Sequence, residues 1–151
     1  MTSMTGRFEQ QIIPWLFTWE GTTYENDPDD PGGATKYGID QRSHPGVNIR
    51  DLTAEGATQI YWNEYVSTGS LKMRVPMDWI FFNACVNCGK TRADKLMVQS
   101  NGTAYGFLSA QRSFYIDLAN TRPTSKKYLR GWLNRLNSLA TANNVHWKAD
   151  V

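Results

Sequence analysis

Trp19-Glu20-Gly21-Thr22-Thr23-Tyr24-Glu25-Asn26-Asp27-Pro28-Asp29-Asp30-Pro31-Gly32-Gly33-Ala34-Thr35-Lys36-Tyr37-Gly38-Ile39 leads from the end of an apolar segment into a loop dense in Asp, Pro and Gly. Phe8, Ile12, Trp15, Leu16 and Trp19 come before the loop at helical spacing. Glu20 closes that segment, and Gly21 follows as a C′ residue does. The stretch predicts a helix end that holds one carboxyl among apolar neighbours, beside a turn carrying several more. Acid cleavage of a glycosidic bond needs that division of labour: one carboxyl kept protonated, another ionised across the bond.

Outward from this stretch the pattern is helical. Pro14 interrupts the first apolar stripe, which predicts a kink or restart near residue 13. Residues 22–39 read as a small β-hairpin or ordered loop with Pro31-Gly32-Gly33 as its turn. Further helices are predicted from about Thr53 to Val66 with Thr53 as N-cap, and from about Pro76 to Asn87 with Gly89 ending it. Thr91 to about Gln99 opens on Thr91-Arg92-Ala93-Asp94, which reads as a capping box with Asp in place of Glu. Ser109–Asn120 and Ser125–Asn143 complete the set. The fold class is mainly α, a helical bundle with one small β-hairpin near the N-terminus.

A chain of 151 residues without repeats or low-complexity linkers is expected to form one domain over residues 1–151. No apolar run is long enough to span a bilayer, so stable membrane insertion is not expected. Met1-Thr2-Ser3-Met4-Thr5-Gly6-Arg7 lacks the basic-then-apolar pattern of a secretory leader. The protein is therefore expected to stay in a cytoplasm unless another system releases it. Charge is uneven: residues 1–75 carry six Lys/Arg against ten Asp/Glu, and residues 76–151 carry ten against four. Leu118 to Ala149 contains no acid at all, while Arg122, Lys126, Lys127, Arg130, Arg135 and Lys148 are basic. Such a face is either solvated or a patch for an anionic polymer.

Other signals are weak. Ala84-Cys85-Val86-Asn87-Cys88-Gly89-Lys90-Thr91 ends like a P-loop, but Ala84 replaces the first Gly and a helix, not a strand, comes before it. Cys85 and Cys88 form one Cys-x-x-Cys, and His44 and His146 do not complete a zinc set, so no metal and no cofactor is expected. His44 before Pro45 is expected in a solvent-facing loop. Asn101-Gly102-Thr103 reads as a turn.

Taken singly, Asp27, Asp29 and Asp30 beside Pro and Gly are ordinary turn residues. Their spacing is not that of an EF-hand. Taken together, Glu20-Gly21, Tyr24, Asn26-Asp27-Pro28, Asp30-Pro31-Gly32-Gly33, Thr35 and Gly38-Ile39 resemble the signature of the glycoside hydrolase family 108 muramidases. These form a branch of the lysozyme-like superfamily found among phage endolysins. Weaker likeness continues in Tyr61-Trp62, in Phe82 to Gly89 and in Gly131-Trp132-Leu133-Asn134-Arg135. The chain departs from the pattern at Thr22-Thr23, where the family has one Gly. It departs again at Leu96 to Thr103, which lies toward the peptidoglycan-binding part that usually follows.

The resemblance implies a lysozyme-like α+β fold with the hairpin beside the active-site cleft. It implies Glu20 as catalytic acid and cleavage of the β-1,4 bond after N-acetylmuramic acid. Its Asp before Pro-Gly-Gly falls on Asp30. The wider phage-lysozyme spacing of Glu, eight residues, Asp, five residues, Thr selects Glu20, Asp29 and Thr35 instead. Asp30 is favoured and Asp29 kept as the alternative. On physical grounds, Trp15, Leu16 and Trp19 around Glu20 would favour its protonated form. Thr35 could hold a water on the far side of the sugar, which suggests inversion. Tyr24, Tyr37, Tyr61 and Trp62 are candidates to line a sugar groove, with core packing as the competing role for Tyr61 and Trp62. The expected partner of a monomeric enzyme is bacterial peptidoglycan and not nucleic acid. The competing function is a non-catalytic wall-binding or secretion-activator module that uses the basic C-terminal half.

Overall fold

The computed structural model describes residues 3–151. The chain divides into two compact units, one up to Ser67 and one from Thr68 onward.

The first unit begins with a π-helical stretch, Phe8–Ile12, that runs into α1, Ile13–Glu20. Proline explains the irregularity. Pro14 has no N–H to give and its ring crowds the preceding turn, so the helix widens before it. The Ile13 N–H accordingly bonds back to the Phe8 carbonyl, five residues away. The expected break near residue 13 is thus a widened turn that restarts as α-helix. Phe8, Ile12 and Leu16 are fully buried, whereas Trp15 and Trp19 are half-buried. Phe8 meets Trp62 edge-on at 5.1 Å and Tyr65 at 4.9 Å, which ties this helix to α2, Ala54–Ser67. Thr53 caps α2 as expected, accepting the Gly56 N–H at 3.0 Å.

Between the two helices lies a two-stranded antiparallel sheet, β1 Thr35–Lys36 and β2 Ile39–Asp40. Its turn is Tyr37-Gly38, both with positive φ (55° and 79°), as a two-residue type I′ connection requires. The turn expected at Pro31-Gly32-Gly33 lies instead within a longer loop. Glu25 and Thr35 close that loop by exchanging two backbone hydrogen bonds of 2.8 Å.

The second unit is helical: α3 Met77–Cys88, α4 Lys90–Ser100, α5 Ala104–Thr121 and α6 Leu129–Ala142. Short 3₁₀ turns occupy Ser70–Lys72 and Pro123–Tyr128. Met77 to Ala84 are all buried, which makes α3 the central helix of this unit. The capping box at Thr91 does not form, because α4 already starts at Lys90; Asp94 binds Lys90 Nζ at 2.8 Å. Asn101-Gly102 is the expected turn, with φ of 55° and 71°. Thr103 then caps α5 through the Gly106 N–H, so the helix starts five residues before the predicted Ser109. Gly106 sits where a Cβ would stand 2.6 Å from Thr103 Oγ1 and 2.9 Å from the Ser100 carbonyl, so it is bound to the cap rather than being a loop residue. Buried Arg135 gives its Nε–H to Asn83 Oδ1 at 2.9 Å, joining α6 to α3.

Candidate active site

Glu20 is the last residue of α1. Gly21 ends the helix with φ 78°, and its N–H bonds to the Phe17 carbonyl at 2.9 Å. The Tyr37-Gly38 turn packs on the aliphatic stem of Glu20. A Cβ at Gly38 would lie 2.7 Å from Glu20 Cβ, 2.8 Å from Glu20 Cγ and 2.6 Å from the Tyr61 hydroxyl. Tyr61 fixes that turn by donating its hydroxyl hydrogen to the Tyr37 carbonyl at 2.7 Å. Helix end, hairpin turn and α2 therefore converge on one half-buried carboxyl-bearing side chain.

The loop acids are exposed and have different duties. Asp27 accepts the Asp29 N–H at 2.9 Å, and Asp30 accepts the Gly32 N–H at 2.8 Å, so both are Asx-type turn residues. Asp29 receives no side-chain hydrogen bond from any described residue. Thr35 is half-buried and its hydroxyl lies 3.4 Å from the Gly33 carbonyl. It pairs directly with Asp40 across the hairpin and with Glu25 across the bridge. Directly opposed residues of antiparallel strands share a face, so Glu25, Thr35 and Asp40 form one row.

Asp40 and its neighbours were not singled out by the sequence. With the turn assigned to Pro31-Gly32-Gly33, the register that sets Asp40 opposite Thr35 was hidden. A Cβ on Gly32 would lie 3.2 Å from Asp30 Oδ1 and 3.4 Å from Asp40 Oδ2, so both carboxyls border the same small space. Asp40 Oδ2 accepts from both the backbone N–H and the hydroxyl of Ser43, each at 3.1 Å. His44, expected in solvent, is half-buried. Its Nδ1 lies 3.1 Å from the Asp40 carbonyl and its Nε2 3.1 Å from Glu64 Oε1. It pins the segment after β2 to α2.

The aromatic candidates divide. Tyr61 and Trp62 are each 2% exposed and belong to the core; Tyr61 acts on the site through its hydroxyl and not as a sugar platform. Tyr24 is half-buried with the Arg50 guanidinium 4.8 Å over its ring. Tyr37 rests against Phe17 with ring centres 5.0 Å apart. These last two keep part of their surface open.

Loss of the second carboxylate should separate the two loop positions. Asp30→Asn removes the charged acceptor of the Gly32 turn, and its main effect is expected on stability, about 0.5–2 kcal/mol. Asp29→Asn breaks no hydrogen bond in the loop, so a large fall in turnover with an unchanged melt would assign it the chemistry. Urea unfolding and wall-lysis rates on both variants measure the split. Equal, mild effects on turnover would remove both from the mechanism.

In the second unit, Cys88 and Tyr115 share a polar cluster. The Tyr115 oxygen lies 3.4 Å from Cys88 Sγ and accepts from Gln111 Nε2 at 3.0 Å and from Asn87 Nδ2. Burial pushes the Cys88 thiol above its ordinary value and is the largest influence on it, ahead of these hydrogen bonds. Burial likewise pushes the Tyr115 hydroxyl up. A raised thiol pKa means little thiolate near neutrality, and the thiolate is the nucleophile. Iodoacetamide at pH 8 is therefore expected to label Cys88 slowly in the folded protein and readily in urea, as read by mass spectrometry. Equal labelling in both states would contradict this. The Cys88-Gly89-Lys90-Thr91 segment is a corner between two helices, which is not the strand-to-helix setting of a P-loop.

A family model described as glycosyl hydrolase 108 matches residues 13–89, and one described as "Predicted Peptidoglycan domain" matches residues 84–137. The first spans the helix end, the acid loop and the hairpin, about half of the chain, and the chain belongs to the glycosyl hydrolase 108 family. The second includes Leu96 to Thr103, so the departure there does not remove the wall-binding region. Among solved structures, that of Brucella abortus SagA is similar, with a TM-score of 0.72 and 20% identity over 92% of this chain and 94% of that one. At that identity the likeness carries the fold, which is mainly α and lysozyme-like with a two-stranded sheet. No curated protein matches the chain. The protein is thus a lysozyme-like glycoside hydrolase that acts on peptidoglycan.

Proposed function

We propose that the protein is an N-acetylmuramidase that cleaves the β-1,4 bond between N-acetylmuramic acid and N-acetylglucosamine and so lyses the bacterial wall. The observation that carries this reading is Glu20, held at a helix end by the close approach of Gly38 within the span matched by the family model. Glu20 acts as general acid toward the leaving oxygen. A loop carboxylate stabilises the oxocarbenium-like charge, and Thr35 orients water on the opposite face. Asp30 and Asp29 are the two candidates for that carboxylate; the Gly32 N–H bond gives Asp30 a turn role as well, which supports Asp29. A water held by Thr35 on the face opposite the leaving group is the arrangement of an inverting enzyme.

Digestion of purified wall followed by mass spectrometry tests this. Fragments with reducing N-acetylmuramic acid ends are expected. Reducing N-acetylglucosamine ends, or cleaved stem peptides, would overturn the assignment. Wall retention without release of soluble fragments would leave only a binding module. No helix among the described residues is long and apolar enough to cross a membrane. Release to the wall by a separate system is proposed.

A further inference from the structure

The second unit holds a cavity of about 520 Å³, bordered on one side by the Asn87, Cys88 and Tyr115 cluster. Its volume lies in the range of small-ligand sites. Arg92, Lys95 and Arg122 line it, together with Phe114, Tyr115 and Trp132. Arg92 and Lys95 come from α4 and Arg122 from just beyond α5.

None of the three cations forms an ion pair with a described residue. Asp94, the acid nearest to them in sequence, is held by Lys90 and does not line the cavity. Three like charges around one concavity repel one another unless an anion enters.

The aromatic faces are largely used. The Arg92 guanidinium lies 4.5 Å over the Phe114 ring, and Tyr115 stacks on Trp132 at 4.9 Å and 23°. A nucleobase or pyranose would need an open ring face to stack on. What remains of the lining is Leu118 and ring edges, with the polar Asn87, Thr91 and Thr121, beside the three cations. That combination fits a short aliphatic chain bearing carboxylates. Arg92 is also preorganised: stacking fixes its plane and leaves its N–H edge for a carboxylate.

We propose that this cavity binds the carboxylate-bearing stem peptide of peptidoglycan. The proposal rests on peptidoglycan being the polymer on which the protein acts. In that polymer the glycan is uncharged once its lactyl groups are amidated, and the free carboxylates lie on the peptides. All the lining residues fall within the span matched by the peptidoglycan-domain model. The site would anchor the wall by its peptides, separately from recognition of the sugar bond at Glu20.

Calorimetric titration of the full chain tests this with four probes. They are the tetrapeptide L-Ala-γ-D-Glu-meso-diaminopimelate-D-Ala, the same peptide with its carboxyls amidated, the peptide-free disaccharide, and tripolyphosphate. The free-acid peptide is expected to bind at least tenfold more tightly than the amidated one. Lys95→Gln/Arg122→Gln, both at exposed positions, should weaken it tenfold or more without changing the melt. Cleavage of peptide-free glycan by that variant should be unchanged. Equal affinity for the amidated peptide, no loss in the double variant, or tighter binding of tripolyphosphate at the same residues would each overturn the proposal. Failure of the muramidase reading looks different: no glycan is cut, yet the peptide still binds.

Discussion

Glu20→Gln is expected to lower turnover on wall by roughly 10²–10⁴-fold, the usual cost of losing a positioned general acid, with the melting curve unchanged. The amide is nearly isosteric and keeps the aliphatic stem that packs on Gly38. Glu20→Asp is the sharper probe. It keeps the acid but shortens the stem by one methylene, which withdraws the carboxyl from the bond and opens a gap at Gly38. Misplacing a catalytic group by about 1 Å can itself cost about 10²-fold. Turbidity clearing of wall suspensions and circular dichroism of the same samples give both readouts. A Gln variant with near-normal turnover would remove Glu20 from the chemistry.

Gly38→Ala is expected to produce the largest loss of stability of any single methyl addition in the first unit. Its φ of 79° strains any L side chain, at about 1–2 kcal/mol. The added methyl would also collide with Glu20 Cβ and Cγ and the Tyr61 hydroxyl, all within 2.8 Å. Overpacking of that kind adds about 1–3 kcal/mol. Gly33→Ala is the control. It has a similar φ of 76°, but the nearest atom to its Cβ would be Gln41 Cβ at 3.8 Å, so it carries the conformational strain alone. Urea unfolding should therefore rank Gly38→Ala well below Gly33→Ala, with activity falling in parallel as the turn is pushed off Glu20. Equal losses would mean that the close approach has no energetic weight.

Much of the fold was legible because helices announce themselves by apolar period and by caps. Thr53, Gly21 and Gly89 each mark a boundary where the structure has one. The start of α5 was hidden because Gly106 looks like a loop residue, although it serves the Thr103 cap. The hairpin was misregistered for a related reason. Pro31-Gly32-Gly33 has stronger turn composition than Tyr37-Gly38, but positive φ at a tyrosine follows from tertiary support by Tyr61 and Phe17 and cannot be read locally. That one error concealed the Thr35–Asp40 pairing and the fastening of His44 to Glu64. The position of Glu20 at a helix end was legible because its signal is local: an apolar helix, a Gly stop and an acid at the junction. The turn bonds of Asp27 and Asp30 were not, because they depend on which carboxyls the backbone N–H groups of Asp29 and Gly32 reach.

The π-helical entry to α1 works as a phase shifter. An α-helix advances about 100° per residue, and one extra residue in a turn resets the bearing of everything after it by that amount. The compass direction of Glu20 is thus fixed upstream, by a proline that cannot donate, and not only by the turn that touches it. A family member that lost or gained one residue between Phe8 and Pro14 could keep every active-site residue and still point its acid the wrong way. Conversely, a compensating change of one residue in that short stretch would restore aim with no edit to the site itself.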